Sequence, residues 1–423
     1  MDSQTLLKII TADAESHISF LQRLTQTPSP NPPGDTLQAA SVITSFLKSH
    51  DITPEIIAPS PEAPNVVCDA ECGGEGKRLV LNGHIDHFPV GDTSDWEHPP
   101  YSGTITAGRL HGRGTIDMKA GLAASIIAYT YLYRYRSHLS GSIALCAVSD
   151  EETGGKWGTK YLLEDERWRG DCMINAEPGG TGTIRFAEKG TLRLTFEVRT
   201  EGAHGAYTHR SASTTLLAAH LITTLHTSIS SLVPNLPPSL DEYMSQPSVL
   251  AAIDAAMGPG ASSMALKPTL NIGTIHGGLK VNMIPSYCVF EADIRMPIGL
   301  SREDVLPVID EILKEYPNAT VEVQEAASNP AAGCEHDHPM VDILARNAVR
   351  FRSGIGEEDK NPVAIPSMGA TDCKFYRYRG IPAYVFGVSP EGMAAKDESV
   401  DVQEFLDVVR THALAAWEYL GGK

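Results

Sequence analysis

The chain has 423 residues, 42% hydrophobic and 20% charged, with a formal net charge of −18. That fits a globular protein with room for two domains, and so acidic a chain lacks the basic footprint of a nucleic-acid or anionic-membrane binder. Residues 121–133, the longest near-apolar stretch, fall short of the roughly 20 that span a bilayer. The first ten residues lack a secretory apolar core, and the seven cysteines show no C-x-x-C spacing. A cytoplasmic protein with reduced thiols is therefore expected.

A helical period over 5–24 opens into a turn-rich segment, Thr27-Pro28-Ser29-Pro30-Asn31-Pro32-Pro33-Gly34-Asp35. A helix over 36–49 follows, then strands near 64–69 and 77–82, a strong helix pattern over 118–135, and short buried strands at 143–148 and 172–176. Strands alternating with helices predict an α/β domain on a mixed, mainly parallel sheet. A different unit begins near 190. Residues 191–200 alternate, with Leu192, Leu194, Phe196 and Val198 on one face. A helix at 211–229, strands at 270–275 and 287–296, a helix over 301–316 capped by Ser301, and a strand at 320–324 complete a β-α-β-β-α-β, ferredoxin-like order. Residues 234–267, rich in Pro, Ser and Gly, form a long excursion within it. A helix at 340–352, a strand at 382–388 and a helix at 402–420 return to the first domain. The division expected is 1–189 with 328–423, and 190–327 inserted.

Four stretches place acids or a histidine just after strand-like runs or before a helix: Asn82-Gly83-His84-Ile85-Asp86, Gly114-Thr115-Ile116-Asp117-Met118-Lys119, Ser149-Asp150-Glu151-Glu152, and Asn175-Ala176-Glu177-Pro178. In an open α/β sheet, ligands sit at the carboxyl ends of the strands. One imidazole and several carboxylates converging there suit one or two zinc-like ions with mixed N/O ligands. A carboxylate two residues after His84 can accept its second N–H and fix the tautomer. The chemistry indicated is metal-assisted hydrolysis.

In order and spacing these motifs resemble the zinc amidohydrolases and metallopeptidases that include aminoacylase, acetylornithine deacetylase, succinyl-diaminopimelate desuccinylase and the glutamate carboxypeptidases. The resemblance covers nearly the whole chain. It implies a zinc-peptidase-like catalytic domain with an inserted ferredoxin-like α+β lid and dimerisation domain. It makes His84, Asp117 and Glu177 the ligands of one zinc, Asp117 and Glu152 ligands of a second, Glu151 the general base, and Asp86 the partner of His84. His204 is expected to reach the substrate carbonyl in the partner subunit's site of a homodimer. Asn282, Arg295, Gly369 and Thr371 are expected to line the substrate. The bond between Asp117 and Met118 is expected to be cis. Co2+ or Mn2+ could replace Zn2+, with one or two ions per subunit.

One departure stands out. Where the family places a histidine shortly before an Asp-Glu pair, this chain has Ala394 before Asp397-Glu398, and methyl cannot ligate zinc. His336 and His338 lie upstream, but His338-Pro339 has the form of a helix start. The leading reading is a hydrolase of an amide bond in a carboxylate-bearing small molecule, such as an N-acyl amino acid or short peptide, of deacylase or carboxypeptidase/dipeptidase type. Two others accommodate Ala394: a homologue that binds such a ligand without cleaving it, and an acyl-transfer or amide-forming enzyme.

Overall fold

The computed structural model of the chain describes residues 1–352 and 361–422. They fall into two compact units, one of Met1–Phe186, Cys334–Ile365 and Thr371–Lys423, the other of Ala187–Gly333 and Pro366–Ala370. Among the described residues, no helix is long and apolar enough to cross a membrane.

Four parallel strands make the centre of the first unit, in the order Ser142–Val148, Arg78–His84, Cys172–Asn175 and Ala383–Val385. Antiparallel strands border them: Asn65–Glu71 and then Glu55–Ile57 on one side, Thr183–Glu188 on the other. Ser142–Val148 and Cys172–Asn175 are buried at every position, which is why they read as unbroken apolar runs rather than as alternation. Helix Ala120–Arg134 packs on this sheet and, behind, on helix Val402–Tyr419. Enclosed from both sides, it is apolar nearly all round.

Two local readings change. The helical period over 5–24 is two helices, Ser3–Ala12 and Ala14–Thr25. The break falls at Asp13, whose carboxylate accepts from the Tyr131 hydroxyl at 2.6 Å. Strand Thr183–Glu188 is not marked in the sequence, because buried charged residues, Arg185 and Glu188, interrupt its apolar pattern.

The second unit has a four-stranded antiparallel sheet in the order Thr269–Gly277, Tyr287–Met296, Gly190–Arg199, Ala319–Val323. Helices Thr214–Ser230 and Arg302–Leu313 pack against each other and share a core with the sheet that includes Leu192, Leu194, Phe196, Val198, Leu221 and Phe290. The Phe196 and Phe290 rings stack at 4.8 Å. Ser301 and Asp304 form a reciprocal capping box on the second helix. The excursion carries three helices, Pro238–Met244, Pro247–Met257 and Ser262–Ala265. Proline near the first helical position starts two of these helices, which is how a proline-rich segment comes to be helical.

Gly121 sets how closely the buried helix approaches the sheet. A Cβ there would stand 2.0 Å from the Ala176 carbonyl oxygen. Gly121→Ala should therefore destabilise the protein, although alanine favours an unstrained helix by about 1 kcal/mol. Denaturant unfolding checks this, and a stabilised variant would contradict the packing described.

Candidate metal centre

Three neighbouring parallel strands end at the same edge and deliver the cluster. His84 is the last residue of its strand. Glu151 and Glu152 follow Ser142–Val148 through a turn in which Asp150 adopts φ 73°. Glu177 lies two residues beyond Cys172–Asn175. Asp117 arrives from the turn before helix Ala120–Arg134. The Asp117–Met118 peptide bond is cis, and the Met118 sulfur accepts from the His84 amide at 3.2 Å.

Nε2 of His84 lies 3.1 Å from Asp117 Oδ1 and 3.3 Å from Glu177 Oε1. His84, Glu151 and Glu177 offer ligand atoms within 4.8 Å of one another, as do His84, Asp117 and Glu152. The imidazole thus belongs to both groupings. Oε1 of Glu152 is buried with no hydrogen-bond partner among the described residues, which such an atom tolerates poorly unless a cation answers it.

The electrostatics of the protein groups alone point the same way. Burial and the neighbouring carboxylates, set against the His84 charge, push Glu152 up to about 9. Burial, then the Asp117 charge, raise Glu177 to about 7. Burial also lifts Glu151 well above the carboxylate range, opposed by the Lys374 ammonium 4.0 Å away. Burial would lower His84, but Glu177, Asp117 and Asp86 outweigh it and hold it well above its ordinary value. Carboxylates crowded this closely resist ionising together. A divalent ion relieves that conflict, and one imidazole with oxygen ligands is a donor set that suits zinc.

Asp86 acts differently from the simple His-carboxylate pair. The Nδ1 of His84 lies 2.9 Å from the Asp86 carbonyl oxygen and 3.6 Å from its carboxylate. The main chain therefore takes the imidazole N–H and leaves Nε2 to face the cluster. The Asp86 carboxylate accepts from Asn31 Nδ2 at 2.8 Å, from the Glu152 amide at 3.1 Å and from the Glu151 amide at 3.3 Å. Burial would raise Asp86, yet His84, Asn31 and the Glu152 amide hold it below its usual range.

Glu398, from the Asp-Glu pair, is buried behind Asp117. It accepts from the Ile116 amide at 2.8 Å and from Arg113 Nη1 at 2.6 Å. Arg113 also donates to the Ala395 carbonyl at 3.1 Å, so the loop bearing Ala394 is anchored to the Asp117 turn. Ala394 itself is exposed, with φ 58°. His338 caps helix Pro339–Ala348, its Nδ1 accepting from the Met340 amide at 3.1 Å. Neither His338 nor His336 belongs to a metal-spaced group among the described residues.

The remaining expected site residues are spread over both units. His204 is exposed in a two-residue strand paired with Met283–Ile284, and Asn282 is exposed with its carbonyl accepting from Gly205. Arg295 is half-buried and donates to Asp293 Oδ2 at 3.0 Å and Thr191 Oγ1 at 3.2 Å. Gly369 lies in the second unit, while Thr371 lies in the first, where its hydroxyl accepts from the Cys373 amide at 3.2 Å. Asn31, Arg113, Lys374 and Glu398 were not singled out as site residues. Nothing in their local sequence distinguishes such positions from surface turns, except that Asn31, Arg113 and Glu398 lie inside the motifs that carry the resemblance.

The model of the peptidase family M20/M25/M40 matches residues 80–418. The chain belongs to that family. A probable succinyl-diaminopimelate desuccinylase of Staphylococcus epidermidis is 24% identical over 318 residues, covering 74% of this chain and 76% of its own. Among solved structures, an M20 family metallo-carboxypeptidase from Sulfolobus solfataricus superposes with a TM-score of 0.78 at 17% identity, covering 95% and 99% of the two chains. A dinuclear metal-binding M20 peptidase of Bacillus subtilis gives 0.67 at 14% identity, covering 97% and 99%. The α/β architecture with a second α+β unit is that of these neighbours. The chain is accordingly a metallo-amidohydrolase, and the readings as a mere binder or an acyl-transfer enzyme are not favoured.

A carboxyl whose folded pKa is raised stabilises the fold below its unfolded value and loses that contribution as pH rises through the folded one. For Glu177 and Glu152 that window opens near 4.5 and runs through about 7 and about 9. The gain in melting temperature on adding metal to the chelated protein should therefore grow between about pH 5 and about pH 9. Thermal unfolding with and without chelator decides this; a metal-dependent gain that shrinks over the interval contradicts the crowding.

Proposed function

We propose that the chain is a zinc-dependent, cytoplasmic, homodimeric hydrolase that cleaves the amide bond of an N-acyl amino acid or short peptide bearing a free carboxylate. The observation that carries this reading is the buried meeting of His84 with Asp117, Glu151, Glu152 and Glu177 at the strand ends. His84, Asp117 and Glu177 would hold one ion, and Asp117 and Glu152 a second; Co2+ or Mn2+ could substitute. Zinc held there would polarise the scissile carbonyl and acidify a water. Glu151 is placed to accept a proton from the attacking water and to return it to the leaving nitrogen. Its burial makes it a stronger base than an ordinary glutamate, while Lys374 limits how far its affinity for protons rises. The Asp86 carbonyl fixes the tautomer of His84, so that Nε2 is free to ligate.

The second unit (190–327 by the sequence division) is read as the lid and dimerisation domain. Support comes from its edge strand, Thr269–Gly277, with exposed Ile275, and from Leu279 and Val281, 92% and 100% exposed on the following loop. Exposed apolar side chains next to an unpaired strand edge suit pairing with a second copy. In that dimer His204 would donate to the forming oxyanion in the partner's site, and Arg295 with Asn282, Gly369 and Thr371 would hold the substrate, the guanidinium matching a carboxylate in a two-bonded fork. The desuccinylase name of a relative also favours a substrate with carboxylates on both sides of the amide.

Three outcomes follow. Glu151→Ala should lower turnover of an N-acyl amino acid about 10²–10⁴-fold with near-normal metal content; near-normal turnover removes Glu151 from the reaction. Metal should leave in two phases under chelator, because the second ion lacks the histidine replaced by Ala394, and Ala394→His should strengthen the weaker phase; two equally tight equivalents in the unaltered protein would overturn that ligand assignment. Mixed dimers of Glu151→Ala and His204→Ala subunits should regain activity, since each hybrid holds one intact site. Verified hybrids without recovery would place His204 outside the partner's site.

A further inference from the structure

Beneath the cluster runs a line of buried polar side chains that none of the ligand or base roles uses. Asn82 and Asn175 face each other in register on the adjacent parallel strands Arg78–His84 and Cys172–Asn175. Asn82 lies two residues before His84 on one strand, so period two puts the two side chains on the same face. Asn175 is the last residue of the other strand, two before Glu177 in the chain, and reaches Glu177 through its side chain.

The hydrogen bonds along this line have one direction. The Glu177 amide donates to Asn175 Oδ1 at 2.8 Å. A backbone N–H can only donate, so this oxygen is fixed as the acceptor and the other end of the amide must donate. Asn175 Nδ2 donates to Asn82 Oδ1 at 2.9 Å, Asn82 Nδ2 to Thr159 Oγ1 at 3.1 Å, and the Thr159 hydroxyl to Asp372 Oδ2 at 2.8 Å. Each group is at most 1% exposed. Such a chain of donors ending on a carboxylate is mutually polarised, and its last bond is charge-assisted. The other Asp372 oxygen is buried without a hydrogen-bond partner among the described residues. It lies 3.2 Å from where a side chain on Gly155 would begin, so it faces the turn that follows Glu151 and Glu152.

We propose that Asp372, Thr159, Asn82 and Asn175 are positioning residues for the metal centre: their chain sets the main chain of Glu177, and hence the aim of its carboxylate, against the strand that ends in His84. Four buried polar side chains are costly in a core that could be apolar, and what distinguishes this set is that its free end is the amide of a ligand. The inference rests on the zinc-hydrolase reading above.

The test is zinc affinity by competition with a chromophoric chelator, alongside melting of the metal-free protein and turnover of an N-acyl amino acid. Thr159→Val keeps shape and removes the hydroxyl, breaking the chain in the middle; zinc binding at the tighter site should weaken roughly 10–100-fold, the range for lost outer-shell partners of a metal. Thr159→Ser should bind zinc as the unaltered protein does. Should Thr159→Val not fold, Asp372→Asn keeps an oxygen for Thr159 while removing the charge, and weaker zinc binding is again expected. Undiminished zinc affinity in a folded chain-breaking variant, with any loss confined to metal-free melting, overturns the proposal. An unaltered protein that binds no zinc overturns both readings; one whose zinc affinity responds as stated but which cleaves no acyl amino acid or peptide overturns only the hydrolase reading.

Discussion

The constraint on which the structure depends is the burial of several carboxylates around one imidazole. Asp117, Glu151, Glu152 and Glu177 converge near His84, with Asp86 and Asp372 close behind. A buried ionised carboxylate without a partner is expensive, and protonation is its ordinary escape. Among the protein's own groups, His84 and Lys374 bring positive charge to the cluster. A fold that collects so much negative charge at one point holds it in a useful state only with cations present, so metal binding and stability of this unit are one problem.

The solution recurs three times. Each turn that carries a cluster carboxylate is held by a side-chain acceptor placed behind it. Asp86 takes the amides of Glu151 and Glu152, Glu398 takes the amide of Ile116 before Asp117, and Asn175 takes the amide of Glu177. Aiming a carboxylate through its backbone leaves both of its oxygens free for the metal and the water. Lys119, buried beside this region, donates to the carbonyls of Leu24 and Thr27 and so ties the Asp117 turn to the end of the second helix, where a cation also answers the helix dipole.

The sequence was most legible where the physics is local. The alternation of Leu192, Leu194, Phe196 and Val198 marked a half-buried strand, and continuous apolar runs marked the covered parallel strands that end in the cluster. The acids and histidine could be found because a strand end followed by a charged residue is an unusual pattern repeated at several points. What remained hidden depends on tertiary contact. Asp13 breaks a helix because Tyr131 is there to engage it. Arg185 sits inside a buried strand because carbonyl oxygens such as that of Gly179 meet its guanidinium. The Asp86 carboxylate, legible as a partner of His84, serves the neighbouring turn instead, since the main chain reaches the imidazole first. No spacing rule joins Asn82, Thr159, Asn175 and Asp372; they meet only through strand register and the packing of two distant segments.

Ala394 fits this picture as a loss at the rim rather than at the heart of the site. The loop around it is still anchored through Ala395, Arg113 and Glu398, and the buried groups that need a cation are unaltered by it. Whether this cluster holds metal is tested by anomalous diffraction at the zinc edge from crystals grown with zinc. A strong peak is expected among His84, Asp117 and Glu177, with a weaker one toward Glu152. A map with no peak among these residues, from crystals in which their side chains are ordered, would contradict it.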